Sequence, residues 1–219
     1  NLSSLSIINA EYTGLQYLPD GFGYLSALRV LDVSNSRLNR LPEDFGHLAS
    51  LTFLDVSDNQ LVSLPDSFGS LAQLVTLYLS RNPLTSLPTT IGGLVGVTNL
   101  FANSLRLTSV PASIGGMISL RNLYLSYAST PLTTLPAELF QLPYLQYLDI
   151  SSCGMISLPS GMSGAPSLRY LYASDNFLTD LSIDFVNMVG LETLQLQNNN
   201  FTAFPAVLAN MTSLTILFL

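Results

Sequence analysis

The chain has 219 residues, 48% of them hydrophobic and only 10% charged, with a net charge of −7. All seven cations are Arg, so the basic footprint of a nucleic-acid binder is missing, and an anionic membrane surface is disfavoured on the same ground. No run of about 18 apolar residues offers a membrane span, and the single cysteine, Cys153, can form no internal disulfide.

Apolar residues recur at one fixed offset. In the stretch 51–73 they are Leu51, Leu54, Val56, Leu61, Leu64, Phe68 and Leu71, with Asn59 and Pro65 among them; the set returns from Leu74 to Leu94 after 23 residues. A period of this size marks a solenoid made by stacking one supersecondary unit. Unit starts are read at Leu2, Leu28, Leu51, Leu74, Val97, Leu120, Leu145, Leu168, Leu191 and Leu214, spaced by 26, 23, 23, 23, 23, 25, 23, 23 and 23 residues. Residues 1–219 are therefore expected to form a single domain of nine full units and a tenth truncated after its strand. The extra residues of the first unit are placed near Glu11–Gly14, and those of the sixth near Ser129–Pro131.

Within a unit, positions 4 and 6 are apolar and alternate with outward residues, the period-2 pattern of a strand. Strands of successive units are expected to pair in parallel. Position 9 is Asn at Asn59, Asn82, Asn176 and Asn199, where an amide can satisfy backbone groups of adjacent coils. Ser36, Leu105, Ala128 and Cys153 stand there in other units. Leu and Ala cannot replace the amide, so a ladder of such bonds should break through the fifth and sixth units. Cys153 should be a buried, unreactive thiol. Position 15 is mostly Pro, as in Pro42, Pro65, Pro88, Pro111, Pro136 and Pro159, with Ser182 in the eighth unit. The short run after it, DSFGSL at 66–71, suits one helical or 3₁₀ turn. Phe22, Phe45, Phe68, Ile91, Ile114, Leu139, Met162, Phe185 and Leu208 should fill the core behind that turn.

The form L-x-x-L-x-L-x-x-N-x-L, continued by L-x-x-L-P-x-x-F/I-G-x-L, resembles the leucine-rich repeat. It is similar to the 23-residue class found in plant intracellular Ras-group-related proteins, animal Ras-binding scaffolds and many bacterial and protist repeat proteins. The resemblance covers the whole chain. It implies an α/β solenoid, a right-handed superhelix with a parallel concave β-sheet and short convex 3₁₀ or helical turns. It also implies protein binding on the concave face. The cysteine-paired caps of extracellular relatives have no counterpart here.

Positions 3, 5 and 7 of each strand should face outward. Tyr78, Phe101 and Tyr124 share position 5 on neighbouring strands, so they should form an aromatic stripe. Phe53, Tyr147, Tyr170 and Tyr172 extend it obliquely, and Tyr127, at position 8, joins the same side. Aromatic rings among small Ser neighbours give large contact area at low entropy cost, which suits a groove for a protein segment, a peptide or a glycan. The alternative is that the rings only stabilise the sheet by cross-strand pairing.

Other candidates are weaker. Asp32 and Asp55 share position 5 on adjacent strands, with Asp58 nearby. They read as a solvated acidic patch balanced by Arg29 and Arg37, ahead of a Ca²⁺ site or a glycosidase-like acid/base pair. His47, the only histidine, has no nucleophile beside it. No catalytic constellation, metal-ligand set or cofactor motif can be assembled. Sequons at Asn1, Asn200 and Asn210 are possible glycosylation sites, but 15 Asn and 44 Ser or Thr make about three expected by chance.

Leu2, Leu5 and Ile7 at one end and Leu214, Leu217 and Leu219 at the other lack the polar caps that solenoids use. The chain is then expected to be part of a longer protein; self-association through uncapped ends, or tolerance of frayed ones, are the alternatives. The sequence as a whole points to a non-enzymatic recognition module. A structural subunit of a cell-surface or filamentous assembly, or a glycan-binding surface protein, stands behind it. The weakly charged, Ser/Thr-rich exterior favours an extracellular or cell-surface setting over a cytoplasmic one.

Overall fold

The computed structural model describes residues 2, 4–159 and 161–219. Asn1, with its sequon, lies outside the described residues. Ten strands pair in parallel, in chain order, into one sheet. They are β1 (Ile7–Asn9), β2 (Val30–Asp32), β3 (Phe53–Asp55), β4 (Thr76–Tyr78), β5 (Asn99–Phe101), β6 (Asn122–Tyr124), β7 (Tyr147–Asp149), β8 (Tyr170–Tyr172), β9 (Thr193–Gln195) and β10 (Ile216–Phe218). Each strand turns one side chain inward and two outward. The inward residues of β2 to β9 are all Leu, from Leu31 to Leu194, and all are fully buried.

The pairing corrects the start of the first unit. Ile7 lies opposite Val30 and Ile8 opposite Leu31. That unit therefore begins at Leu5, not Leu2, has the ordinary 23-residue length, and carries no insertion near Glu11–Gly14. Leu2, Leu5 and Ile7 mimic the spacing of the true set, Leu5, Ile8 and Ala10, and hydrophobicity alone does not separate the two phases. Ile7 faces outward and is 60% exposed, whereas Ile8 packs against the core.

Each strand from β1 to β9 ends in a turn through the left-handed region. Tyr12, Asn35, Asp58, Arg81, Ser104, Tyr127, Ser152, Asp175 and Asn198, all at position 8, have φ between 53° and 58°. Four of the nine are Asn or Asp, the non-glycine types that best tolerate this conformation. A recurring bond holds the rest there. Tyr12 N–H donates to the Ser34 carbonyl, Arg81 N–H to that of Asn103 and Tyr127 N–H to that of Ser151, each in the next coil.

Position 9 follows directly. The Asn82 Oδ1 accepts from Leu61 N–H at 3.0 Å, and its Nδ2 donates to the Val56 and Leu79 carbonyls at 2.9 Å each. Asn59, Asn176 and Asn199 repeat this arrangement. Where Asn is replaced, Cys153 Sγ donates to the Leu125 carbonyl at 3.3 Å and Ser36 Oγ accepts from Thr13 N–H at 3.2 Å. Burial pushes the Cys153 thiol up to about 12, so it stays protonated. Leu105 instead joins the apolar core. Beside it the polar bonding moves to position 7, where Asn103 Oδ1 accepts from both N–H and Oγ of Ser126.

The convex side consists of 3₁₀ turns, such as Phe45–His47, Asp66–Ser70 and Ala112–Gly116. Behind them Phe22, Phe45 and Phe68 stack nearly parallel, with centroids 6.4 and 6.0 Å apart. Adjacent turns approach so closely that a Cβ on Gly46 would collide with the Ser67 carbonyl. Ser182, standing in the usual proline place, caps its turn by accepting from Asp184 N–H.

Replacing Asn82 by Ala would orphan two buried backbone groups, the Leu61 N–H and the Leu79 carbonyl, while the Val56 carbonyl keeps its bond from Asn59 Nδ2. The expected outcome is a loss of about 3 kcal/mol in unfolding free energy, measured by denaturant titration.

Candidate functional site

The outward side of the sheet is where side chains from different coils meet. Strict parallel register puts Tyr78 opposite Phe101, and Phe101 opposite Tyr124. Strands run about 4.8 Å apart, close to the stacking distance of aromatic rings. The Tyr78 and Phe101 rings accordingly stack at 4.4 Å and 3°, and Phe101 and Tyr124 at 4.7 Å and 11°. Where the aromatic residue moves to position 3, the ring leans across the row. Phe53 lies 5.7 Å from Tyr78, and Tyr147 lies 4.7 Å from Tyr124 and 4.9 Å from Tyr172. Tyr170 closes the series at 6.4 Å from Tyr147. Seven rings thus run without a gap from β3 to β8. All are half-buried, covered on their flanks by each other and open towards solvent. Burial, reinforced by the Asp149 charge, holds the Tyr124 and Tyr147 hydroxyls above the usual tyrosine range.

Tyr127 does not join them. It occupies a left-handed turn position, stands 66% exposed, and stacks on no ring among the described residues. Beside the row Asn122 Nδ2 donates to Asn99 Oδ1 at 2.6 Å, an amide pair where two position-3 aromatics would otherwise stand.

The acidic candidates have a structural task. Asp32 Oδ1 accepts from N–H and Oγ of Ser34, at 3.0 and 2.7 Å, and Asp55 Oδ1 accepts likewise from Ser57, at 2.8 and 2.6 Å. Each carboxylate fixes the chain as it leaves its strand. Asp58 pairs with Arg81 of the next coil. That pairing, not Arg29 or Arg37, supplies the compensating cation. Among the described residues no group of three or more His, Cys, Asp or Glu is placed to hold a metal ion. His47 sits exposed on a convex turn, its ring 6.0 Å from Tyr24. Asn200 and Asn210 are both exposed.

Two features escaped the sequence reading. The left-handed position 8 left a trace in its Asn and Asp content. Asp149, a lone carboxylate within the aromatic row, was visible as a break in the position-5 series.

Burial raises the Asp55 carboxyl, the Ser57 hydrogen bonds oppose the rise, and the Asp32 and Asp58 charges add to it. The folded state therefore holds this proton more tightly than the unfolded chain. Asp55 lowers stability as pH rises through its raised value and ceases to do so below the unfolded one. Asp55→Asn should thus gain stability relative to the wild type at about pH 7 and lose that advantage near about pH 4. Paired urea titrations at the two values check this.

Leucine-rich repeat family models match residues 1–61, 73–94 and 166–210. No curated protein sequence matches the chain. Among solved structures, the leucine-rich repeat domain of the type III effector XopL superposes with a TM-score of 0.83 at 28% identity, over 93% of this chain and 73% of that one. The plant peptide hormone receptor RGFR1, solved in complex with RGF2, gives 0.72 at 26% identity, over 93% of this chain and 37% of the receptor. The Toll–Spatzle complex of Drosophila gives 0.76 at 26%, over 90% of this chain and 27% of its match. Among the described residues no helix is long and apolar enough to cross a membrane. With leucine-rich repeat models matching three stretches of a solenoid of parallel strands, inward Asn side chains and 3₁₀ turns, the chain belongs to the leucine-rich repeat family.

Proposed function

We propose that the protein is a non-enzymatic recognition module that binds a protein or peptide along the aromatic row. The observation that carries this reading is the unbroken run of seven rings on one side of the sheet. Ring pairs contribute about 0.5–1.5 kcal/mol each beyond burial, so they also stabilise the sheet. Sheet formation does not need them, however. The register continues unchanged through β1 to β2, where the outward pairs are Ile7 with Val30 and Asn9 with Asp32, and through β9 to β10. The rings are therefore surplus to the fold, and a large exposed apolar face is the usual mark of a docking surface.

The row crosses five inter-strand steps, about 24 Å, the reach of about seven extended residues. An extended peptide fits that length. Two of the similar structures, RGFR1 with RGF2 and Toll with Spatzle, were solved with partners and support the same use of this fold. The weakly charged, Ser/Thr-rich exterior supports an extracellular or cell-surface setting.

The test is selection from a displayed random-peptide library on the whole chain, then challenge of the selected peptides with Tyr78→Ala/Phe101→Ala/Tyr124→Ala. Capture should be abolished while circular dichroism still shows a cooperatively folded sheet. Unchanged capture by the folded triple variant would place the binding surface elsewhere.

A further inference from the structure

Asp149 is the one charged group of the row with rings on both neighbouring strands, whereas Asp55, opposite Tyr78, stands at the row's end beside Asp32. Asp149 lies at position 5 of β7, opposite Tyr124 on one side and Tyr172 on the other. The Tyr147 ring, from the same strand and the same side, stands within 5 Å of both neighbouring rings. Tyrosines thus flank this carboxylate on both neighbouring strands and on its own.

Its bonding differs from that of its counterparts. Asp32 and Asp55 each take both the N–H and the hydroxyl of the Ser two residues on. Asp149 takes only Ser151 N–H, on Oδ1 at 3.0 Å. Among the described residues its Oδ2 has no donor and no cation pairs with it, since the ion pairs there are Arg81 with Asp58 and Arg169 with Glu192. The hydroxyls of Tyr124, Tyr147 and Tyr172 likewise have no hydrogen-bond partner among the described residues. A negative charge and three phenolic oxygens, all able to accept, therefore face solvent from an apolar frame. Any ligand that lies along the row covers this point, and an uncompensated buried carboxylate is costly unless the ligand brings a cation.

Resting on the recognition reading above, we infer that the row takes a basic peptide and seats one of its arginine side chains against Asp149 among Tyr124, Tyr147 and Tyr172. A guanidinium carries five donors in a plane and a weakly hydrated charge that tolerates aromatic surroundings. It can give a forked pair of bonds to the carboxylate and reach the phenolic oxygens as well. An ammonium has three donors and a tighter hydration shell, and fits less well. The net charge of −7 draws a basic segment towards the face from a distance.

The library peptides selected above supply the test. Ring-dependent peptides should be enriched in Arg over the input library. Asp149→Asn keeps the acceptor for Ser151 N–H and removes the charge. It should weaken an Arg-containing peptide about tenfold, and Arg→Gln in the peptide should cost about the same on the wild type and nothing further on Asp149→Asn. Arg→Lys should recover part of the loss, and added salt should weaken the wild-type complex more than that of the variant. Ring-dependent peptides without basic enrichment, or Arg peptides bound equally by Asp149→Asn, would overturn the arginine seat while leaving recognition by the rings intact. A selection that yields no ring-dependent peptide would overturn both. Thermal melts of Asp149→Asn confirm that the fold is retained.

Discussion

The constraint on which the molecule rests is the parallel backbone ladder from coil to coil. Arg29 carbonyl receives the N–H groups of Thr52 and Phe53, Thr52 carbonyl those of Val75 and Thr76, and Val75 carbonyl those of Thr98 and Asn99. This geometry fixes the strand-to-strand step, and every other layer has to match it. On the convex side the match demands glycine wherever turns approach most closely, as at Gly46 under the Ser67 carbonyl. In the interior it brings Phe45 and Phe68 into face-to-face register. On the exterior it converts aromatic side chains at one repeat position into a stack. The core stack and the surface stack thus share one cause, the translational repeat of the chain.

A repeat that must be this regular leaves little room for a polar backbone to find partners, and the exit from each strand shows how it does so. The left-handed residue at position 8 redirects the chain, its N–H reaches the next coil, and the residue after it turns its side chain inward to serve two coils at once. Asn82 does this fully. Cys153 does it partly, as a weak donor to Leu125. Leu105 does not do it at all, and the chain transfers the polar bond one step outward, to Asn103 and Ser126. That transfer happens in the two units whose strands carry the Phe101 and Tyr124 rings. An amide and a serine are thereby drawn into mutual bonding at the margin of the row, which leaves the rings themselves as the groups open to a ligand.

The parts of this arrangement that were legible in the sequence are those governed by periodicity. Leu54 and Leu77 announce the inward face, and alternation then places Tyr78, Phe101 and Tyr124 on the outward one without further information. Phase at an end was not legible. Leu2, Leu5 and Ile7 satisfy the apolar spacing as well as Leu5, Ile8 and Ala10 do, because the true set contains a weak member, Ala10. Backbone conformation would have decided it, since Tyr12 falls at the left-handed position only in the correct phase. The partners of charged side chains were not legible either. Arg81 and Asp58 are 23 residues apart in sequence and meet only because that is the repeat. Tyr127 looked like a member of the stripe because it follows Tyr124 closely. A turn, not a strand, carries it, and the alternation rule ends where the strand does.

Chemical variety on the outward face follows from the same regularity. The ladder is indifferent to which side chains sit at positions 3 and 5, so these positions are free to vary. Val30, Phe53, Thr76, Asn99 and Tyr147 occupy equivalent sites on a sheet whose inward Leu residues hardly change. Aromatic residues at seven such sites across six consecutive strands, beside one carboxylate, Asp149, whose Oδ2 has no donor among the described residues, are thus a choice the fold did not impose. Burial raises the Tyr124 and Tyr147 hydroxyls, and Asp149 raises them further, so both stay protonated through the neutral range. On the proposed reading, a row of neutral phenols around one carboxylate would discriminate by charge at a single point and by shape along the rest of its length. Specificity would then reside in the carboxylate and binding area in the rings, so Asp149 would carry more information about a partner than any one of the aromatic side chains around it.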